Sequence, residues 1–199
     1  MSINRGWFFF DIPLICLFLL AVTSAKSNLN NVGTFNNISL TLPHFSLLSQ
    51  PEEIDEKVFC DYRNKNEKSC ITNSEICRCI HRLKVSLGSI VELLIFDVDD
   101  SLTHPFHLHG HKFYVMDMGT FTKPTTSEMI LNNEVDFNSK SLNKRPPHKD
   151  TILIPNRGYL RLKFRADNAG FWLGHCHFDW HLAIGELTRF LKWMILINW

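Results

Sequence analysis

The chain has 199 residues, 45% of them hydrophobic, and 21 Lys and Arg against 20 Asp and Glu give a formal net charge of +1. That length and apolar content suit one globular domain and exclude a disordered tail. The balanced charge excludes a basic nucleic-acid binder, so no nucleic-acid partner is expected.

In chain order, the first predicted element is a targeting segment. "MSINRGWFFFDIPLICLFLLAVTSAKS" has Arg5 in a short polar lead, an apolar run from Ile12 to Val22, and small residues Thr23, Ser24 and Ala25 where a signal peptidase would cut. Residues 1–25 read as a secretory signal, which places the mature chain outside the cell. A membrane anchor is the competing reading, but a span needs roughly 20 apolar residues. This run is shorter, with Asp11 and Pro13 at its edge, and no span is expected in the mature chain. The polar, turn-rich "KSNLNNVGTFNN" reads as a linker over 26–34, ahead of a domain over 35–199. The sequon Asn37-Ile38-Ser39 agrees with secretion.

Removing the signal takes Cys16 and leaves Cys60, Cys70, Cys77, Cys79 and Cys176, an odd set. In an oxidising compartment four of them pair as two disulfides in any of three connectivities. A zinc site in "CDYRNKNEKSCITNSEICRC" fits less well, since paired C-x-x-C spacing is missing and only His81 is near. Cys176 is the thiol left over.

From Arg82 the pattern becomes strand-like. "IVELLIFDV" is apolar on both parities and stopped by Asp99, Asp100 and Ser101, which predicts a strand buried on both faces. Residues 119–150 read as a long polar connection with a short helix near Met129 to Leu131. "YLRLKFR" alternates, with Leu160, Leu162 and Phe164 on one face and Arg161, Lys163 and Arg165 on the solvated other. The closing "LTRFLKWMILINW" fits helix or strand. Short strands separated by turns predict an all-β sandwich or barrel.

The chemistry concentrates in two blocks, "HPFHLHGH" at 104–111 and "FWLGHCHFDWHLAIGE" at 171–186. In a strand, His175 and His177 share one face and Cys176 takes the other. A thiolate with two imidazoles in a trigonal arrangement is the type 1, or blue, copper site. His181 lies near enough to return to the metal of Cys176. His107 and His109 share a face, while Pro105 restricts the backbone behind His104 and separates it from them. The grouping expected is His104, Cys176 and His181 at one copper, with His107, His109, His175 and His177 facing a second centre. His111 shares their parity but reads as a support for neighbouring ligands. His44, His81 and His148 are assigned no role. Zinc and Cys-His nucleophilic catalysis are weaker readings, because each leaves the histidines flanking the thiol unexplained.

With "NNISLTLPHFSLLSQ", "CRCIHRLKVSLGSIVEL", "HPFHLHGHKFYV" and "RPPHKDTILIPNRGYLRLKFRADNAGFWLGHCHFDWHLAIG" on the page, the chain resembles the C-terminal, third cupredoxin domain of a multicopper oxidase, specifically an insect-type laccase, over most of residues 35–185. The resemblance implies a cupredoxin-like Greek-key β-sandwich and one-electron oxidation of phenolic or other aromatic reductants, with dioxygen reduced to water. It implies type 1 copper on His104, Cys176 and His181, His107 as a type 2 ligand, and His109, His175 and His177 as type 3 ligands. Electrons would enter at the edge of His181 and leave through Cys176 to its histidine neighbours. Asp179 or Trp180 would stand near the substrate entrance.

Two departures matter. Enzymes of this kind have three cupredoxin domains and draw half of their trinuclear-cluster histidines from an N-terminal domain with two further H-x-H motifs. This chain has no H-x-H outside its two blocks. It is therefore expected to bind type 1 copper and to leave the type 2 and type 3 cluster partial unless another chain supplies ligands. The other departure is Glu186, ten residues after Cys176, where the family carries Met, Leu or Phe. As a candidate axial group it would stabilise oxidised copper and lower the potential. The competing reading has the chain diverge after Gly185, leaving Glu186 in solvent. Three readings of the whole follow: a secreted oxidase truncated to its third domain, a small electron-transfer protein without oxidase activity, or an incomplete gene model joining a signal to a last domain.

Overall fold

The computed structural model describes residues 15–27, 30–35, 38–40, 44–47, 49–50, 55–60, 77–98, 103–132, 134–135, 137, 145–177 and 192–198. Its elements are β1 (Ile15–Ser27), β2 (Asn30–Phe35), β3 (Ile38–Leu40), β4 (Phe59–Cys60), β5 (Cys77–Ser86), β6 (Ile90–Asp97), β7 (His104–Leu108), β8 (Phe113–Thr120), α1 (Ser127–Leu131), β9 (His148–Lys149), β10 (Thr151–Ile154), β11 (Gly158–Arg165), β12 (Gly170–Cys176) and β13 (Lys192–Asn198). Two layers follow from the pairing. One runs β3-β2-β1-β6-β11-β8-β9 and the other β10-β7-β12-β13-β5, with β5 joined to both through β3. The all-β sandwich predicted from the strand pattern is the fold found.

The core lies where the inward parities meet. Val91, Leu93 and Ile95 of β6 and Leu160, Leu162 and Phe164 of β11 face Phe106, Leu108 and Cys176 of the opposite layer. Each fully buried Leu, Ile or Phe contributes about 1.5–3 kcal/mol. The other parity of β6 is also buried: Leu94 and Phe96 pack with Tyr159 and Ile130, and Phe121, Val135 and Phe137 pack on them. The long connection thus covers the outside of the sheet, which is why "IVELLIF" shows no alternation. Its helix α1 is capped by Thr126, whose Oγ1 accepts from the Met129 N–H at 3.2 Å, and it drives Ile130 into this cluster. On the outer face of β11, Arg161 and Lys163 reach Glu92 of β6 at 3.5 and 2.9 Å, so those cations close a cross-strand ion network.

Three segments refine the sequence reading. The stretch read as a linker over 26–34 carries most of β2 (Asn30–Phe35), which pairs with β1 from Val22↔Phe35 to Ser27↔Asn30. Val32, Thr34 and Phe35 favour extended backbone, and the pairing satisfies amides that a linker leaves to water. From Ile15 onward the apolar run read as a secretory signal lies in strand β1, parallel to β6. The ambiguous closing segment is strand from Lys192 to Asn198, antiparallel to β12 and parallel to β5.

Of the three disulfide connectivities, the structure contains Cys60–Cys79. Cys77 is also disulfide-bonded, and Cys70 lies outside the described residues. Cys176 is buried and outside the disulfides, as the odd count predicts. Among the described residues no helix is long and apolar enough to cross a membrane.

Candidate metal centre

One strand pair carries the site. β7 and β12 run antiparallel with Gly174↔Leu108, His175↔His107 and Cys176↔Phe106 in register. Backbone bonds extend the ladder at both ends: the His109 N–H donates to the Leu173 carbonyl at 2.9 Å and the His177 N–H to the Pro105 carbonyl at 2.6 Å. Alternation then sorts the side chains. His104, Phe106, Leu108 and Cys176 point into the core, with 6%, 0%, 1% and 3% of their surface exposed. His107, His109, His175 and His177 gather on the opposite face. The separation of His104 from His107 and His109, predicted from backbone restriction at Pro105, comes from parity instead, because β7 continues through Pro105.

On the inner face the Cys176 Sγ lies 3.7 Å from His104 Nδ1. His104 Nε2 lies 3.9 Å from Asp97 Oδ2, a carboxylate buried at the end of β6. Asp97 is absent from the sequence reading. Its signal was available, since it shares the parity of Val91, Leu93 and Ile95 and therefore sits in a core register. A soft thiolate and an imidazole in a dry setting suit a copper or zinc ion.

On the outer face the ring centroids of His107 lie 4.8, 5.5 and 5.7 Å from those of His109, His175 and His177. One ligand nitrogen from each of His107, His109 and His175 falls within 4.8 Å of the others. His109 Nε2 and His175 Nε2 are 3.0 Å apart, converging on one region. His107 Nδ1 is 2.9 Å from the Asp150 carbonyl and 2.8 Å from Thr151 Oγ1. His175 Nδ1 is 3.0 Å from the Cys176 carbonyl. Burial is the main cause that pushes the His175 pKa down to about 4, with repulsion from His109, His107 and His177 adding to it and the Cys176 carbonyl opposing. Burial, then repulsion from His107 and His177, also lowers His109. Both rings are neutral near pH 7, the form in which imidazole binds metal.

His111 does not join them. The strand stops at Leu108, Gly110 adopts φ +71°, and the turn sends His111 inward, 5.2 Å from the Phe164 ring and 5.8 Å from that of Trp172. Parity ends where the strand ends, so His111 stays apart from the outer imidazoles, in keeping with its reading as a residue that is not itself a ligand. Trp172 also holds the turn: its Nε1–H donates to the Asn168 carbonyl at 2.8 Å, and Asn168 Nδ2 donates to the Gly110 carbonyl at 3.2 Å. His181 and Glu186, with Asp179 and Trp180, lie outside the described residues.

Comparison with known proteins bears on this centre. A multicopper oxidase family model matches residues 49–192. Laccase-12 of Arabidopsis thaliana is 34% identical over 171 residues, 80% of this chain and 29% of that protein. Iron multicopper oxidase fer1 of Mycosarcoma maydis is 33% identical over 162 residues, 81% of this chain and 23% of that protein. Among solved structures, the laccase from Botrytis aclada aligns with 92% of this chain and 28% of its own, at 26% identity and a TM-score of 0.56. Fet3p, a multicopper oxidase that functions in iron import, aligns with 92% of this chain and 31% of its own, at 24% identity and a TM-score of 0.59, a likeness of fold. The sandwich is of the cupredoxin type. The chain spans less than a third of the length of these relatives. The match encloses both histidine blocks and the ladder that joins them, and the chain belongs to the multicopper oxidase family, whose cofactor is copper.

Proposed function

We propose that this chain is the third cupredoxin domain of an insect-type laccase, secreted after removal of residues 1–25 and carrying one complete and one partial copper centre. His104, Cys176 and His181 hold type 1 copper. His107 is the type 2 ligand it contributes, and His109, His175 and His177 its type 3 ligands. When bound, copper supplies one-electron chemistry at the first centre and dioxygen reduction at the second. His181 and Cys176 would be the electron-carrying residues: His181, outside the described residues, would take the electron from the aromatic reductant, and Cys176 would pass it along the backbone to His175 and His177. The observation that carries this reading is the single ladder that sets Cys176 beside His104 and turns both flanking imidazoles to the other side.

The half-exposed outer face favours a division of labour. His107, His109, His175 and His177 form half of a cluster, completed by histidines of another domain or chain. The chain alone then binds type 1 copper and does not turn over. The purified full chain, loaded with copper, tests this by metal count and by oxygen uptake with a diphenol. One tightly held blue copper without oxygen uptake is expected. Four coppers per monomer or steady turnover would show that this division is wrong. A second reading, a small electron-transfer protein that uses only the type 1 centre, draws on the burial of Cys176 and His104 within a single domain. Reversible reduction by a redox partner, with no binding by added histidine-bearing domains, would favour it. Amino-terminal sequencing of the exported protein tests the signal, since cleavage after Ala25 removes nearly all of β1.

A further inference from the structure

The outer imidazoles are held in different ways, and His107 is fixed by a hydroxyl side chain as well as by a backbone carbonyl. The chain crosses from one layer to the other at Asp150: β9 pairs with β8 on one side of it, and β10 pairs with β7 on the other. The crossing leaves Thr151 directly opposite His107 in register. The Asp150 carbonyl accepts from the Leu108 N–H at 3.1 Å, which pins the bend to β7. His107 Nδ1 then meets two oxygens, the Asp150 carbonyl at 2.9 Å and Thr151 Oγ1 at 2.8 Å.

Proton accounting decides the state of the ring. A carbonyl only accepts. The Thr151 hydroxyl has one proton and gives it to Asp150 Oδ1 at 3.1 Å, so its oxygen faces His107 as an acceptor. Two acceptors at Nδ1 require the proton to sit there. A neutral ring protonated at Nδ1 has its lone pair at Nε2, the atom left to face the metal cluster. His175 reaches the same tautomer through the Cys176 carbonyl, a backbone contact that no side-chain substitution removes.

We infer that Thr151, backed by the Asp150 carboxylate, is a positioning residue that locks His107 in the Nδ1–H tautomer and aims Nε2 at the shared metal. The inference rests on the copper reading for the metal's identity, and on the metal-free geometry for everything else. Hydroxyl and carboxylate act in series. The carboxylate draws the hydroxyl proton, the hydroxyl oxygen draws the ring proton, and Nε2 becomes the better donor.

Nitrogen-15 NMR of the histidine rings in the metal-free full chain is the test, with the zinc-induced shift of the outer histidine signals as a second reading. Wild type and Thr151→Ser should show His107 protonated at Nδ1. Thr151→Val should show a mixed tautomer population and zinc affinity at these rings weaker by roughly tenfold. Asp150→Asn, which keeps the backbone carbonyl, should fall between. A wild-type His107 protonated at Nε2 overturns the inference whether or not any variant folds. Identical tautomers and zinc affinities in Thr151→Val and Thr151→Ser overturn it too. Failure of the protein to bind copper would end the functional reading and leave the tautomer result standing.

Discussion

The two faces of the β7–β12 ladder share a backbone and have little else in common. The inner face is dry, with a thiol, an imidazole and a carboxylate set among Phe106 and Leu108. The outer face is half open, with imidazoles oriented by backbone carbonyls and one hydroxyl. The inner face can finish a site within one domain, because a closed core excludes water and competing ligands. The outer face is open, and on the proposed reading another domain or chain completes it. A single two-residue period therefore sorts adjacent residues into a buried group and a half-open one.

Substitutions on each face sharpen this contrast, and the largest effect expected is on colour. Cys176→Ser should abolish the blue absorption of the copper-loaded protein while metal-induced shifts of the outer histidines persist. His107→Ala should do the reverse, and loss of both signals in either variant would mean the faces are not separate. Next in size is the turn that joins them. Gly110 has φ +71°, and an added Cβ would collide with the Trp172 ring. Gly110→Ala should cost about 2–5 kcal/mol in urea unfolding, from backbone strain and overpacking together.

The pH response comes third. His175 has its pKa pushed down to about 4 from 6.5, so above 6.5 both folded and unfolded states keep it neutral and its contribution to stability is fully present. As pH falls from 6.5 toward 4 the unfolded chain takes up the proton first, and stability is lost across that window. The loss should be on the order of 1–2 kcal/mol after allowance for partial exposure, and smaller in His175→Asn. Melting temperatures of the metal-free protein between pH 8 and pH 4 measure it. The smallest effect lies on β5, where Arg82 bridges Glu56 with two bonds, at 3.1 and 2.5 Å, and lies 3.9 Å over the Phe59 ring. Glu56 is exposed, so Glu56→Gln should change stability by less than about 1 kcal/mol, with no effect on metal binding.

The centre was legible in sequence to the extent that it obeys strand periodicity. His175, Cys176 and His177 alternate as predicted, and the both-sided burial of β6 and the alternation of β11 from Leu160 to Arg165 follow from their patterns. Where the structure departs from the pattern, the cause is a pairing or a backbone turn that a segment's own spacing does not show. β2 looks like linker because its pairing with β1 does not show in its own composition. His111 keeps its parity on paper, but a positive φ at Gly110 ends the strand before it. Asp97 could be read as buried from its parity in β6, but its approach to His104 and the register of Thr151 against His107 are not carried by spacing within a segment. Proline at 105 drew attention as a breaker, yet the backbone runs straight through it.

Register has a consequence for how such a chain tolerates change over generations. A codon gained or lost between Phe171 and Cys176 would exchange the two faces at a stroke, throwing the sulfur to the outside and an imidazole into the hydrocarbon interior. Point replacements near the ladder leave that sorting untouched. Length variation among descendants should therefore collect in the 119–147 connection and vanish from the two short stretches that face each other across β7 and β12.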